Sequence, residues 1–190
     1  ARRLWQAVTP DPQYITTLGE GGTPVLKIDQ LGRQLGLNQL YLKDEGQNPT
    51  GSFKALGLAT AVSRARELGV VEFVIPTAGN AGGALAAYAA RAGLQAHVYM
   101  PQDAPIINIT EVQMMGADLH MVNGLINDAG REAAADAIAG IRTLALVGPA
   151  GAGKTSLAEA LLHRAGTIAA PGSLERGSMV SDFDPLERRM

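Results

Sequence analysis

The chain has no cysteine among its 190 residues. This absence excludes disulfide bonds, thiolate metal sites and thiol catalysis, and it fits a reducing compartment. Histidine is also scarce, and His97, His120 and His163 are too far apart in the sequence to suggest a metal site. We therefore assign no catalytic role to any histidine.

Long apolar runs and an excess of positive charge are missing as well. No segment reaches the roughly 20 apolar residues that a membrane-spanning helix needs, and the first residues lack the apolar stretch of a signal peptide. The net charge is −2 with both signs interspersed, so no basic stripe can neutralise a nucleic-acid backbone. We expect a cytoplasmic protein that binds neither membranes nor nucleic acids. Because the first residue is Ala1, we also expect that the N-terminus was processed or cut from a longer chain.

The residues that are present predict an α/β fold. Hydrophobic residues make up 46% of the chain, which is enough for a buried core. Alternating strands and helices are typical of a parallel sheet with flanking helices, and the apolar segments FVIP, AHVYM and LALV predict strands buried on both faces. The predicted strands are 73–76, 96–100, 118–122 and 142–147, and the predicted helices are 80–92, 107–115 and 127–139. Met114, Met115 and Met121, around one helix–strand turn, are predicted to fill the core.

The ends of the chain are less regular. An irregular arm is expected over 1–17, and the segments PVLKI and NQLYLKDE are strand candidates around a short helix at 29–35. After a last helix at 155–163, the Gly-, Ser-, Pro- and charge-rich sequence predicts a flexible tail. The alanine-rich helix at 131–140 offers only a thin apolar face, so we place a junction there. The predicted parts are 1–140 and 141–190.

The first candidate site is the lysine of GQNPTGSFK. The turn at Gly51 and Ser52 caps a helix, so Lys54 is predicted to lie in its first turn with its aliphatic stem near Phe53. A lysine that forms a Schiff base must lose its proton, which requires partial burial or a cationic neighbour. Without further context, an ordinary exposed lysine is the commoner case.

Four segments supply that context: LGEGGTPVLKI, LYLKDEGQNPTGSFK, PTAGNAGGALAAYAARAG and DAPIINITEVQMMGADLHMVNGLINDAG. In this order and spacing they resemble threonine synthase, a member of the tryptophan synthase β-like group of pyridoxal phosphate enzymes, over about residues 17–130. The resemblance implies the type II fold of pyridoxal phosphate enzymes and a lyase that converts O-phosphohomoserine to threonine and phosphate. It also implies a homodimer.

The same resemblance implies roles for individual residues. Lys54 would carry the cofactor as a Schiff base and move protons on the substrate, and Asn80 would contact the cofactor's ring hydroxyl. The substrate carboxylate would bind at the start of the following helix, where the helix dipole favours an anion. Its expected partners are Thr77, Ala78, Gly79 and Ala81.

Two departures from the family pattern make us expect a truncated and impaired domain. Leu56 stands where the family usually has an arginine two residues after the lysine. The family's glycine-rich loop for the cofactor phosphate, and the residue that faces the pyridine nitrogen, come from a later segment that this sequence does not contain. These groups bind and tune the cofactor. Without them we expect weaker cofactor binding, and we expect turnover to be impaired more than binding.

The second candidate site is a P-loop, GPAGAGKT, which follows the predicted strand 142–147 and precedes a predicted helix. The pattern needs small residues so that backbone amides face a phosphate, a lysine for the β- and γ-phosphates and a hydroxyl for Mg²⁺. Lys154 and Thr155 would supply these last two groups. The nucleotide-binding residues are Gly148, Gly151, Gly153, Lys154 and Thr155.

The sequence over about 141–189 resembles the N-terminus of elongation factor G-like translational GTPases, which implies GTP with Mg²⁺. It ends before the switch threonine, the DxxG motif and the NKxD motif. Three hypotheses therefore stand: a threonine synthase-like enzyme, a nucleotide-binding P-loop module, and an inert chimeric fragment. In the first, the strand 142–147 extends the parallel sheet. A P-loop that supplies the missing phosphate site for the cofactor is a less favoured variant.

Overall fold

The structure is a computed structural model that describes residues 11–139 and Ala169. The predicted strand 142–147, the last predicted helix and the tail lie outside the described residues. The P-loop lies outside them as well, with its predicted residues Gly148, Gly151, Gly153, Lys154 and Thr155.

A small antiparallel unit opens the described part of the chain. It contains β1 (Val25–Lys27), α1 (Asp29–Gln34) and β2 (Tyr41–Lys43), with Leu26 opposite Leu42. A 3₁₀ turn, Pro12–Tyr14, precedes this unit within the predicted irregular arm. All residues of both strands are exposed, so this pair contributes little to the core.

A parallel three-stranded sheet follows, and it confirms the predicted alternation. Its strands are joined by helices, as short apolar strand segments between helical ones require. The remaining elements are α2 (Lys54–Glu67), β3 (Glu72–Pro76), α3 (Asn80–Ala92), β4 (Gln95–Pro101), α4 (Ile106–Met114), β5 (Asp118–Val122) and α5 (Ile126–Ala139). The strand order is β3-β4-β5, with both pairs parallel. The sequence predicts only the first turn of α2, whereas the structure continues this helix to Glu67.

Helices cover both faces of the sheet. On one face α3 packs on β3 and β4 and also contacts α2 and α4, which encloses side chains such as Phe73, Val98 and Leu85. On the other face α5 packs across β3, β4 and β5 through an alanine stripe at Ala129, Ala133 and Ala137. The prediction of double burial holds for β3 and for most of β4, whereas the segment LALV lies outside the described residues. The strand β5, for which it was not predicted, has one buried residue.

The centre of the larger core is α3, whose residues 82–89 are all buried. This helix is rich in glycine and alanine, so it approaches the sheet more closely than a helix with large side chains would. A Cβ atom added to Gly82 would lie 2.7 Å from Cγ2 of Thr77 and 3.0 Å from Cγ1 of Val98. The glycine is therefore required by the spacing between α3 and the sheet.

Polar contacts fasten the loop before β1 to the helices. Tyr88 of α3 is fully buried, and its hydroxyl donates to Oε2 of Glu20 over 2.6 Å. Burial raises the pKa of Tyr88, and the hydrogen bond to Glu20 raises it further. Ser63 of α2 accepts a hydrogen bond from the backbone N–H of Thr16 at 2.8 Å. The loop is thus held at the side of both helices.

One prediction about the core was wrong. Met114 is 79% exposed, and Met115 and Met121 are also exposed. The buried positions of α4 are Asn108 and Val112, one turn apart, and Met114 lies off that stripe. Met121 lies on β5, which is one of the two edge strands of the sheet within the described part of the chain. Within residues 11–139, no helix combines the length and the hydropathy that crossing a bilayer requires.

The packing of α3 gives a first prediction. Replacing Gly82 with alanine forces α3 away from the sheet and should lower the free energy of unfolding by about 1–3 kcal/mol. Gly57, inside α2, has open space around an added Cβ. The matched change Gly57→Ala should therefore raise the free energy of unfolding by about 0.5–1 kcal/mol. Urea denaturation followed by circular dichroism measures both, and changes of the same sign would contradict this account.

Candidate functional site

The helices α2 and α3 run in the same direction. Near the end of α2, Arg66 donates to the backbone oxygen of Gln13 over 3.3 Å. Near the end of α3, Arg91 donates to the backbone oxygen of Thr17 over 3.4 Å. Because both helix ends reach the same short segment, and the two helices are of nearly equal length, their N-termini lie together at the opposite end.

That shared end is the carboxyl edge of the parallel sheet, because α3 begins directly after β3. The first residue of α2 is Lys54, and the first residue of α3 is Asn80. The fold thus brings to one edge two residues that are 26 positions apart in the sequence. This is the principal geometric feature of the candidate site.

The path of the chain marks the same edge independently. The helices α3 and α4 lie on one face of the sheet, whereas α5 lies on the other and runs back over β4 and β3. Near the end of α5, Asp136 accepts a 2.6 Å hydrogen bond from the hydroxyl of Tyr99 in β4. In open α/β sheets, ligands bind outside the carboxyl ends of the strands where the chain reverses its direction of crossing.

Lys54 is half-buried, as its position in the first turn of a helix predicts. Its backbone N–H donates to Oγ of Ser52 over 3.3 Å, but the N-cap residue is Phe53 and no side chain caps the helix, so the predicted cap at Gly51 and Ser52 was wrong. Gly51 has a φ of 64° in the preceding turn, a conformation that favours glycine. The ammonium nitrogen lies 4.5 Å from the ring centroid of Phe53, so the predicted contact with this side chain is also present.

Lys54 differs from the other described lysines in its partners. Lys27 pairs with Asp29 over 2.8 Å, and Lys43 lies 3.7 Å from Glu45. Lys54 forms no ion pair with any residue in the part of the chain that the structure describes. Its amine is therefore the one among these three that no described carboxylate holds.

The loop between β3 and α3 presents backbone groups at the same edge. Thr77 is buried, and its Oγ1 accepts a hydrogen bond from the N–H of Gly79 over 3.2 Å. Ala78 is exposed beside it. The N–H groups of Asn80 and Ala81 lie in the first turn of α3, where no intrahelical acceptor exists. This arrangement suits a carboxylate or a phosphate at the positive end of the helix dipole.

A second asparagine at the site was missed by sequence analysis. Asn108, at the start of α4, donates from Nδ2 to Oδ1 of Asn80 over 2.9 Å. Asn108 is only 7% exposed, whereas Asn80 is exposed. No local pattern marks Asn108, because the contact depends on how α4 packs against α3.

A buried hydroxyl in the lysine loop was missed as well. Thr50 is 8% exposed, and its Oγ1 is buried without a hydrogen-bond partner within the described residues. An unpartnered buried hydroxyl is costly, so such a group is typical of a binding site or of stored strain. Thr50 lies four residues before Lys54 and was quoted only as part of the motif.

Two carboxylates near these loops have shifted pKa values. The hydrogen bond from Asn48 is the largest cause that lowers the pKa of Glu45, with smaller contributions from Thr23 and Lys43. Asn48 in turn accepts a bond from the N–H of Gly21 over 3.0 Å, so this network joins the loop before β1 to the lysine loop. Burial raises the pKa of Glu111, which lies against Gly83 of α3.

Over residues 11–139, no group of three or more histidine, aspartate or glutamate side chains is arranged to hold a metal ion.

The chain is similar to a known protein family and to known proteins. The family model described as pyridoxal-phosphate dependent enzyme matches residues 16–168. The chain is 40% identical over 120 residues to a threonine synthase of Methanocaldococcus jannaschii, covering 63% of this chain and 30% of that protein. It is 40% identical over 114 residues to a threonine synthase of Methanosarcina acetivorans, covering 60% of this chain and 28% of the relative. The chain thus spans about a third of the length of the curated relatives it matches.

The fold has solved counterparts. The holo diaminopropionate ammonia lyase of Escherichia coli superimposes with a TM-score of 0.66 at 19% identity, over 86% of this chain and 49% of that one. This likeness supports the fold alone. The family match also continues past Gly140, where sequence analysis placed the end of the first part.

The unpartnered hydroxyl gives a second prediction. Thr50→Val removes a buried group that has no partner, so the free energy of unfolding should rise by about 1 kcal/mol. Thr23 is equally buried, but its hydroxyl bonds to Glu45 over 3.0 Å. Thr23→Val should therefore lower the free energy of unfolding by about 1 kcal/mol. Urea denaturation of the ligand-free protein compares the two, and a loss of stability in both would show that the Thr50 hydroxyl is satisfied.

Proposed function

This chain belongs to the family of pyridoxal-phosphate dependent enzymes, and on that premise we propose that the site at the carboxyl edge of its sheet holds pyridoxal phosphate. The observation that supports the proposal most is the parallel packing of α2 and α3, which brings Lys54 and Asn80 to one edge. This cofactor has an aldehyde, a ring hydroxyl and an anionic group. The aldehyde needs an amine, the hydroxyl needs a hydrogen-bond donor, and the anionic group needs the positive end of a helix dipole.

The residues present fit these needs. Lys54 offers an amine that no carboxylate holds among the described residues. Asn80 offers an amide fixed by Asn108 at 2.9 Å. Thr50 offers a buried hydroxyl without a partner, as expected of a group that awaits a ligand. When bound, the cofactor supplies an electron sink for charge that develops on the substrate.

For the chain's own residues we propose the roles that the resemblance implies. Lys54 binds the cofactor and then abstracts protons from the substrate and returns them. Asn80 donates to the ring hydroxyl and orients the ring. The first turn of α3, with Thr77, Ala78 and Gly79 before it and Ala81 within it, binds the substrate carboxylate.

For the substrate, we propose the threonine synthase reaction, in which O-phosphohomoserine gives threonine and phosphate. The support is the similarity to proteins named threonine synthase and the four matching segments. The chain spans about a third of those proteins, and Leu56 replaces the usual arginine. On the ground of Leu56 alone, we propose that turnover is impaired relative to cofactor binding. A homodimer is proposed on the same similarity, and light scattering after size-exclusion chromatography tests it.

The third prediction concerns the cofactor site. After incubation with pyridoxal phosphate and borohydride reduction, the pyridoxyl group should be found on Lys54 in preference to Lys27, Lys43 and Lys154, which are the other lysines of the chain. The reason is that no carboxylate among the described residues pairs with the Lys54 amine, which lies at the same edge as the groups proposed to bind the rest of the cofactor. Peptide mass spectrometry measures the distribution, and an assay of threonine and phosphate formation follows.

Two variants control that experiment. Lys54→Arg keeps the charge but removes the reactive amine, so selective labelling should disappear. Lys27→Arg should leave the labelling of Lys54 unchanged. Equal labelling of all lysines in the wild-type protein would refute the proposed cofactor site.

Nucleotide binding at the P-loop is a second candidate function, and the sequence pattern at 148–155 is the observation in its favour. The fourth prediction follows from it: GTP should bind in a Mg²⁺-dependent manner, and Lys154→Ala should abolish binding because the lysine contacts the β- and γ-phosphates. Isothermal titration calorimetry measures both. Weak binding that is unchanged in the variant would remove this candidate. A folded protein that binds neither ligand would instead select the inert chimeric fragment.

A further inference from the structure

The contact between Asn108 and Asn80 has a defined direction. Nδ2 of Asn108 is the donor and Oδ1 of Asn80 is the acceptor, over 2.9 Å. A side-chain amide has one carbonyl acceptor and one NH₂ donor group. Because the acceptor of Asn80 already faces Asn108, its NH₂ group is left for the other side.

Asn108 is well placed to hold this direction. Its side chain is 7% exposed, and its backbone N–H donates to the oxygen of Pro105 over 2.9 Å. One turn later, the fully buried Val112 belongs to the same core cluster as α3 residues such as Leu85 and Tyr88, which fixes α4 against α3. Asn80 itself is exposed, so its own surroundings constrain it less. Of the two side chains in this hydrogen bond, the buried one of Asn108 is therefore the more constrained.

We propose that Asn108 is a positioning residue that holds the amide of Asn80 with its NH₂ group, and not its carbonyl, directed at the ring hydroxyl of the cofactor. The inference rests on the proposed function, because it concerns the same cofactor site. A hydrogen-bond donor stabilises the ionised oxygen of the ring, whereas a carbonyl in its place repels it. Asn108 acts through Asn80 and does not itself touch the reacting atoms.

The test reverses the direction of the contact. Asn108→Asp has nearly the same shape, but the new carboxylate only accepts hydrogen bonds. The amide of Asn80 then turns its NH₂ group toward position 108 and its carbonyl toward the ring oxygen. We expect pyridoxal phosphate, titrated into the purified protein and followed by absorbance, to bind about ten- to a hundredfold more weakly. The pH at which the visible band of the bound cofactor changes should rise, because the ionised ring oxygen has lost a donor.

A double-mutant cycle separates positioning from a structural or charge effect. In an Asn80→Ala background the amide is gone, so Asn108→Asp should no longer change cofactor affinity or the pH of the spectral change. If the loss persists unchanged in that background, Asn108 does not act through Asn80 and the proposal is overturned. Should Asn108→Asp fail to fold in urea denaturation, Asn108→Ala enters the same cycle with an expected several-fold loss.

The result also separates this inference from the proposed function. Selective binding at Lys54 in the wild-type protein with an additive cycle overturns the positioning role and leaves the cofactor site standing. Absence of selective binding in the wild-type protein overturns both. Binding that weakens only when Asn80 is present supports both.

Discussion

The close approach of α3 to the parallel sheet is the constraint on which the rest of the described structure depends. Gly82 leaves no room for a Cβ between α3 and the side chains of Thr77 and Val98. Neighbouring glycine and alanine residues keep the whole central part of the helix buried. The close packing against the sheet constrains the position of α3. The helices α2 and α4 pack on α3.

Because the candidate site includes the first residue of α3, the position of this helix also determines the position of the site. Tyr88 fastens the middle of α3 to Glu20 of the loop before β1, and Arg91 fastens its end to the same region. Its first turn therefore cannot slide along the sheet. Since α2 runs beside it in the same direction, Lys54 shares the edge with Asn80, and Asn108 from α4 holds the amide there. Packing far from the chemistry thus determines the geometry of the site.

Family membership supports the proposed cofactor site at the carboxyl edge of the sheet. The function of the P-loop residues has to be tested by experiment. The matched range 16–168 crosses the predicted junction near residue 140 and includes the P-loop at 148–155. The start of a helix after a strand was predicted to bind the substrate carboxylate in the first site and a phosphate in the P-loop. The two sites differ in support: the first has a described geometry and relatives that match it, and the second has its pattern of glycines, Lys154 and Thr155.

The sequence by itself determined the alternation of strands and helices, because apolar periodicity and helix-ending glycines act over a few residues. It also singled out Lys54 and Asn80, since each belongs to a recognisable local segment. Four facts came from the tertiary structure alone: the two residues share one edge, Asn108 bonds to Asn80, the Thr50 hydroxyl has no partner among the described residues, and the methionines near β5 are exposed. These facts depend on contacts between elements distant in sequence, and such contacts are set by the volume and shape of packed side chains rather than by local pattern.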